Sequence, residues 1–413
     1  MSFRMQLITF VLSAVEFNLY YAVTADCIFR VTNNETEKYL PVPLYNTSSE
    51  YDLAIPHEGL IHLQKGQNIS LSCSGQRNYV RQTNSNVTSV TCLENDKVKL
   101  YRQTYKFEQI QCKRIVKGSV RSINETCGNN EGIIHQIGYP VTKCDWVTLI
   151  TLCYQPKIGN TLFSQHTLHG REIKFASKNK YRPGFSTAGE NENITASLVY
   201  KQTYQKSTFS SILGSSRLAN NYINTKSYLA RGHLSPDADF LLATAQFSTY
   251  YYVNAAPQWQ SINNANWKSV ENTVRILAVN YGDLNIITGT FGVLSYNDVN
   301  DNLKEIYLGI NNILPVPKYF WKVAYDIKTQ KGIAFVVVND PYVKSVNEDV
   351  FCEDICIANG FTKKSWKEIS TGYVFCCSVS DFRHKVKTLP KLDVSGILTI
   401  DQSTMRYLLE EDL

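Results

Sequence analysis

Tyr228-Leu229-Ala230-Arg231-Gly232-His233-Leu234-Ser235-Pro236-Asp237-Ala238-Asp239-Phe240, followed by Asn254-Ala255-Ala256-Pro257-Gln258-Trp259-Gln260-Ser261-Ile262-Asn263 and then by Trp267 and Glu271, decides how this chain is read. Arg-Gly-His alone arises by chance; the ordered set at these spacings is hard to obtain by accident. Overlapping the end of the set, Trp267, Val270, Val274 and Leu277 recur at helical spacing, which predicts a helix from about Asn264 to Leu277. Around it lie β-branched and aromatic runs that read as strands: Trp146 to Tyr154, Thr249 to Val253, Asn285 to Gly289, Phe320 to Tyr325 and Ile333 to Val338. The last two are joined by Lys328-Thr329-Gln330-Lys331-Gly332, a plausible hairpin connection. The pattern is that of a mixed α+β domain, large enough for a deep cleft.

Outward from this stretch, the chain has 413 residues, 43% hydrophobic and 19% charged, which excludes a disordered, collagenous or coiled-coil protein. The length favours two domains over one. A net charge of +6 permits a polyanionic partner without establishing one. Eleven cysteines, at 27, 73, 92, 112, 127, 144, 153, 352, 356, 376 and 377, point to bridges within local clusters and an oxidising compartment. The count is odd, so one thiol is free or joins two copies into a homodimer. Arg4, the apolar run from Leu7 and the small residues near Val23-Thr24-Ala25 read as a signal peptide over 1–25, removed on secretion. No later apolar stretch is long enough to span a membrane. Sequons at Asn34, Asn46, Asn68, Asn86, Asn124 and Asn193 fit a glycosylated extracellular surface.

Short β-like runs such as Ile61-His62-Leu63 and Ile69-Ser70-Leu71 make residues 26–130 a small β-rich, disulfide-stapled, glycosylated domain. The turn formers of 124–132, with Gly128-Asn129-Asn130, are the expected boundary. Residues 131–395 form the mixed domain and 396–413 a C-terminal tail.

The motif set resembles that of the DNA/RNA non-specific endonucleases, metal-dependent nucleases with a ββα-metal (His-Me) finger. Their signature is Arg-Gly-His, then Asn-x-x-Pro-Gln, then a helix carrying Asn-x-x-x-Trp-x-x-x-Glu. Each element is present in order, as Arg231-Gly232-His233, Asn254 to Gln258, and Asn263, Trp267 and Glu271. Secreted arthropod nucleases acting on double-stranded RNA, DNA or both are the members it resembles most. The resemblance implies a magnesium-dependent endonuclease, with manganese as a substitute, that leaves 5′-phosphate ends.

In that frame His233, with an ordinary pKa near 6.5, is the general base. Asn263 supplies a hard amide oxygen to Mg²⁺ and also suits a helix N-cap. Glu271, about two turns on and a quarter turn off that face, orders the water around the ion. Arg231 donates a charge-assisted fork to the phosphate. Arg275 is either a second phosphate contact or a structural salt bridge, Trp267 packs, and Asn254 buttresses the site. Asp237 and Asp239 read as turn and supporting groups. Ala230 stands where many members carry Asp, which removes a supporting acceptor. Cys352, Cys356, Cys376 and Cys377 could hold zinc, but secretion favours disulfides. The basic run Lys363, Lys364, Lys367, Arg383, Lys385, Lys387 and Lys391 could hold nucleic-acid backbone or form a solvated face. The rival to an enzyme is a secreted, non-catalytic nucleic-acid-binding or interaction protein that keeps the fold.

Overall fold

The computed structural model describes residues 26–31, 37–47, 50–191 and 194–401. The leader at 1–25, the sequons Asn34 and Asn193, and residues 402–413 lie outside the described residues.

The N-terminal part is β-rich and stapled, as expected. Strands β1 (Cys27–Arg30), β2 (Val42–Asn46), β3 (Tyr51–Leu53), β4 (Leu60–Leu63), β5 (Asn68–Ser72), β6 (Val87–Glu94), β7 (Lys97–Leu100) and β8 (Gln103–Lys106) form a β1–β4 pair and a six-stranded sheet of order β3-β2-β5-β6-β7-β8. Alternation in β7, where Val98 and Leu100 are buried and Lys97 and Lys99 exposed, shows a sheet with one face on a core. Cys27–Cys92 and Cys73–Cys112 close this region. Asn46, Asn68, Asn86 and Asn124 are all exposed.

Next come β9 (Ser119–Cys127), β10 (Gly132–Pro140), β11 (Trp146–Gln155) and β12 (Asn160–Leu168), then the short hairpin β13 (Leu229–His233) with β14 (Ala255–Trp259). They are followed by β15 (Leu284–Val293), the pair β16 (Ser295–Asn297) and β17 (Leu303–Glu305), then β18 (Pro317–Asp326), β19 (Lys331–Val338), β20 (Val374–Cys377) and β21 (Gly396–Ile397). Nine of these make one sheet of order β20-β19-β18-β15-β12-β11-β10-β9, with β21 added parallel to β19. Its centre is buried on both faces. Ile286, Phe320, Ala324, Ile333, Phe335 and Val337 pack with Trp267, Val270, Val274 and Leu277 on one side. Ile287, Trp321, Val323, Ala334, Val336 and Val338 pack with Phe375 and Phe382 on the other. Each fully buried Val, Leu or Phe of this kind contributes about 1.5–3 kcal/mol.

Four expectations change. The turn-rich stretch 124–132 closes the β9–β10 hairpin, so a division at residue 130 would fall inside the large sheet. One apolar cluster also runs from Phe29, Leu44 and Val98 through Ile137, Tyr139 and Ile150 to Tyr251, so the two parts share a core. Residues 396–401 are not a free tail, because β21 joins the sheet and Leu398 and Ile400 are buried. Thr249 to Val253 is not a strand: it makes one β-bridge, Tyr251 to Ser186, and enters a 3₁₀ turn at Tyr252–Asn254. Its aromatic run serves burial of the rings, not strand pairing. The remaining disulfides are Cys127–Cys153, Cys352–Cys377 and Cys356–Cys376, leaving Cys144 unpaired and exposed.

Candidate active site

The β13–β14 hairpin presents the motif. Period-two alternation puts Arg231 and His233 on one face with Gly232 between them, and the register pairs Arg231 with Pro257 and His233 with Ala255. Gly232 is required by the partner strand: a Cβ there would lie 2.5 Å from Gln258 Oε1 and 2.8 Å from Gln258 Cβ. This explains why Arg-Gly-His and Pro-Gln occur together. Ala230 faces Gln258 in the register, and neither amide atom of that buried Gln258 side chain finds a hydrogen-bond partner among the described residues. Beyond His233, the fully buried Asn254 accepts from Ser235 N at 3.0 Å and donates to Ser235 O at 2.8 Å and Thr249 O at 2.9 Å. It clamps the chain that leaves the hairpin.

Aromatic rings enclose both motif side chains. Arg231 Cζ lies 5.6, 5.4 and 5.5 Å from the centroids of Phe185, Tyr200 and Tyr252. The His233 ring lies 5.0 Å from Phe185 and 4.9 Å from Tyr250. Tyr250 Oη donates to Asp237 Oδ2 at 2.8 Å, and Arg182 Nε pairs with the same oxygen at 2.9 Å. Burial pushes the His233 imidazole down to about 4; Asp237 opposes the shift and the Arg182 charge adds to it. At neutral pH the ring is therefore an uncharged proton acceptor. Its Nε2 is buried without a hydrogen-bond partner among the described residues, as is Arg231 Nε. Sequence reasoning missed Arg182, Phe185, Tyr200, Tyr250 and Tyr252, because they reach the site from chain segments outside the motif.

β14 runs directly into a helical stretch, Gln260–Ile262, then a π turn at Asn263–Trp267, then the site helix Lys268–Tyr281. The helix starts earlier than its periodicity predicts, so Asn263 lies within the helical run and is not its N-cap. A π turn advances fewer degrees per residue than an α turn. It therefore brings Asn263 and Glu271 closer to one face than the quarter turn of an uninterrupted α-helix. Burial raises Glu271 to about 7, partly offset by Lys322 and Arg275. Trp267 packs against Phe320 at 5.4 Å with Lys322 Nζ over its ring.

Arg275 is paired within the protein, which favours the structural of its two expected roles. Its Nη1 pairs with Asp239 Oδ1 at 2.7 Å, and Nη2 donates to Asn272. Asp239 also receives His166 Nε2 at 3.1 Å, and His166 Nδ1 meets Ser235 Oγ at 2.9 Å. Burial would raise Asp239, but the His166 hydrogen bond and the Arg275, His166 and Lys322 charges outweigh it and hold it below the usual carboxylate range. The chain Arg275–Asp239–His166–Ser235 ties the site helix to the segment just after His233. Lys322, fully buried, donates to Leu234 O at 3.3 Å and Thr288 Oγ1 at 2.6 Å. His166 and Lys322 lie on strands of the large sheet, where local sequence carries no sign of their pairing.

Zinc at the late cysteines is excluded by the two disulfides, although Asp354, Cys356 and Cys376 lie close together. Part of the basic run is used structurally: Lys363 Nζ bonds Ser269 Oγ at 3.1 Å, Lys367 pairs with Asp354 at 2.6 Å, and Arg383 donates to Pro390 O at 3.1 Å.

The hard amide of Asn263 and the half-buried carboxylate of Glu271 have no hydrogen-bond partner among the described residues, and both sit on the helical stretch that β14 leads into. A small hydrated divalent cation fits such a donor set.

Residues 130–382 match the model of the DNA/RNA non-specific endonuclease family. A salivary endonuclease of Lutzomyia longipalpis is 30% identical over 88% of this chain and 85% of its own length. Salivary protein Tsal2A of Glossina morsitans morsitans is 26% identical over 91% of this chain and 95% of its own. A solved complex described as EndoG with its inhibitor EndoGI aligns over 61% of this chain and 89% of that chain, at TM-score 0.37 and 17% identity. The chain belongs to the DNA/RNA non-specific endonuclease family. It is a nuclease of a metal-dependent class, which sets aside the non-catalytic binding protein.

Proposed function

We propose that this protein is a secreted, Mg²⁺-dependent, sugar-non-specific endonuclease that cuts internal phosphodiester bonds of double-stranded RNA, DNA or both, leaving 5′-phosphate ends. The carrying observation is that His233 Nε2 and Arg231 Nε are buried without hydrogen-bond partners among the described residues, on the hairpin whose second strand leads straight into the helical stretch that carries Asn263 and the half-buried Glu271. His233, neutral at pH 7, takes the proton of the attacking water at Nε2. Arg231, its guanidinium held by three rings, donates to a non-bridging phosphate oxygen. Asn263 would hold the cation through Oδ1, and Glu271 would accept hydrogen bonds from water around it. The cation, when bound, neutralises charge building on the phosphate and leaving oxygens. Mn²⁺ has the same preference for oxygen donors and would substitute. Backbone-directed contacts fit low sequence specificity, because phosphates carry no base information.

Secretion and N-glycosylation are supported by the disulfides, the exposed sequons and the salivary relatives. Cys144 is the thiol through which two copies could be joined. Digestion of a plasmid and of double-stranded RNA with Mg²⁺, Mn²⁺ or a chelator tests the reading. Internal cutting of at least one substrate with either metal and silence with chelator are expected. Undiminished cutting without metal would overturn the role given to Asn263.

A further inference from the structure

We propose that a basic groove between the N-terminal strands and the part of the chain that carries the site is a docking track for nucleic acid, in which Arg77, Lys113, Arg114 and Lys117 hold backbone phosphates of a duplex away from the scissile bond. This rests on the nuclease reading and extends it to a region that precedes the family match at 130–382. The groove, of about 440 Å³, takes Gln76, Asn78, Arg114 and Lys117 from the N-terminal part and Ala188 and Tyr251 from the other, and no Asp or Glu lines it. The charge is written into the sequence: residues 109–124 hold Lys113, Arg114, Lys117 and Arg121 without an acid, and residues 59–93 hold Lys65, Arg77 and Arg81 without one. Arg77, Lys113 and Arg114 are exposed and Lys117 is half-buried.

The backbone behind these cations is fixed before any ligand arrives. Arg114 N donates to Asn78 Oδ1 at 2.8 Å and Asn78 Nδ2 donates to Arg114 O at 3.3 Å, so the buried Asn78 ties the segment of Arg77 to that of Arg114. Lys113 N donates to Tyr79 O at 2.9 Å, and Lys113 Nζ lies 4.9 Å from the centroid of the Tyr79 ring. Cations carried on a fixed frame lose less conformational freedom when a phosphate binds, which leaves more of the contact for affinity.

The groove also leads to the site. Lys117 Nζ donates to Gly184 O at 3.4 Å, one residue before Phe185, whose ring packs on His233. Gly118 N donates to Ser248 Oγ at 2.7 Å and Gly118 O accepts from Tyr251 Oη, so Lys117 is anchored to the turn whose Tyr250 and Tyr252 flank His233 and Arg231. A backbone lying over His233 and Arg231 meets the groove as it continues past Gly184. Nucleic acid fits this surface better than a membrane does. The lining is concave, and none of the large apolar side chains exposed among the described residues lies in it, whereas docking on lipid needs such groups to insert.

Lys and Arg on phosphates release condensed counterions, so each contact carries a salt dependence of its own. The test is the affinity of the full chain for a fluorescent 30-base-pair DNA duplex, by anisotropy across a NaCl series with chelator present so that nothing is cut. Arg77→Gln, Lys113→Gln, Arg114→Gln and Lys117→Gln together should lower the slope of log affinity against log salt by about 3.6. Arg77→Lys with Arg114→Lys should keep the wild-type slope, because the charges stay. Lys99→Gln, Lys328→Gln and Lys331→Gln remove three exposed charges outside the groove and should leave the slope unchanged. Should the fourfold variant melt early, Arg77→Gln alone carries the test, with an expected loss of about 0.9. A wild-type slope in the fourfold variant at unchanged melting temperature, or in Arg77→Gln, overturns the track. So does an equal loss per charge from the three outlying lysines, or a wild-type chain that sediments with phosphatidylserine vesicles and binds no duplex. Failure of the nuclease reading is separate: wild type would bind with its full slope, lose it in the fourfold variant, and yet leave duplex uncut in Mg²⁺.

Discussion

Replacing Arg275 with Met separates a structural arginine from a substrate contact. The Arg275 side chain is 8% exposed and Asp239 1%, with 2.7 Å between their charged atoms. Removing one partner of a buried pair costs about 3–5 kcal/mol, mostly by stranding the other charge. Asp239 keeps its bond from His166 at 3.1 Å and the nearby charge of Lys322, which argues for the lower end, about 3 kcal/mol. At roughly 2–4 °C per kcal/mol, the melting temperature should fall by about 6–12 °C. Asp239 is held below its usual range, so its contribution is complete at pH 7 and is lost only in acid below about 4. The melt therefore belongs at pH 7. Duplex affinity across salt, measured on the same variant, should keep the wild-type slope. A melting temperature within about 2 °C of wild type, with a slope lowered by about 0.9, would refute the argument. Adding Asp239→Asn to Arg275→Met removes the stranded charge and should recover part of the loss.

His233→Ala should abolish hydrolysis while duplex binding and the melting temperature stay near wild type; residual turnover close to normal would remove His233 as base. The acid limb of kcat/KM should lie well below pH 6.5, since burial lowers His233 to about 4, and a limb at the free-imidazole value would contradict that. His135, His166 and His233 are all lowered by burial, so the unfolded chain takes up their protons first. Glu190 and Glu271, raised by burial to about 8 and about 7, act in the opposite sense, so the His233 contribution is read by difference: lowering the pH from 6.5 to 4 should destabilise His233→Ala less than wild type, and equal responses would contradict it. Gly232→Ala should cost about 1–3 kcal/mol by pushing on Gln258, and should reduce activity more than stability, read by melting and by rate at one substrate concentration.

What the sequence made legible was local. Leu229 to Glu271 keeps strand, hairpin and helix contiguous, so the motif spacing and the Trp267, Val270, Val274 and Leu277 period carried most of the site. The fate of Arg275 was not legible, because its partner Asp239 lies in a loop whose burial is set by the large sheet. Asn263 as N-cap failed because helix entry depends on how β14 leaves the hairpin. The boundary at 130 failed for a related reason: Gly and Asn mark turns equally well within a sheet and between domains. Tyr250 and Tyr252 read as strand because aromatic residues suit both pairing and burial, and only the packing around His233 and Arg231 tells the two apart.

The shared sheet governs what can be cut away. Truncation at residue 130 would strip β9, delete one half of Cys127–Cys153 and uncover Ile137, Tyr139, Val147 and Tyr251. The new border, β10, would offer a row of unpaired N–H and C=O groups beside bare apolar side chains, a template for edge-to-edge aggregation. Excision at residue 130 should therefore give an insoluble product, and a shortened form has to keep β9 together with the N-terminal strands that complete the shared core.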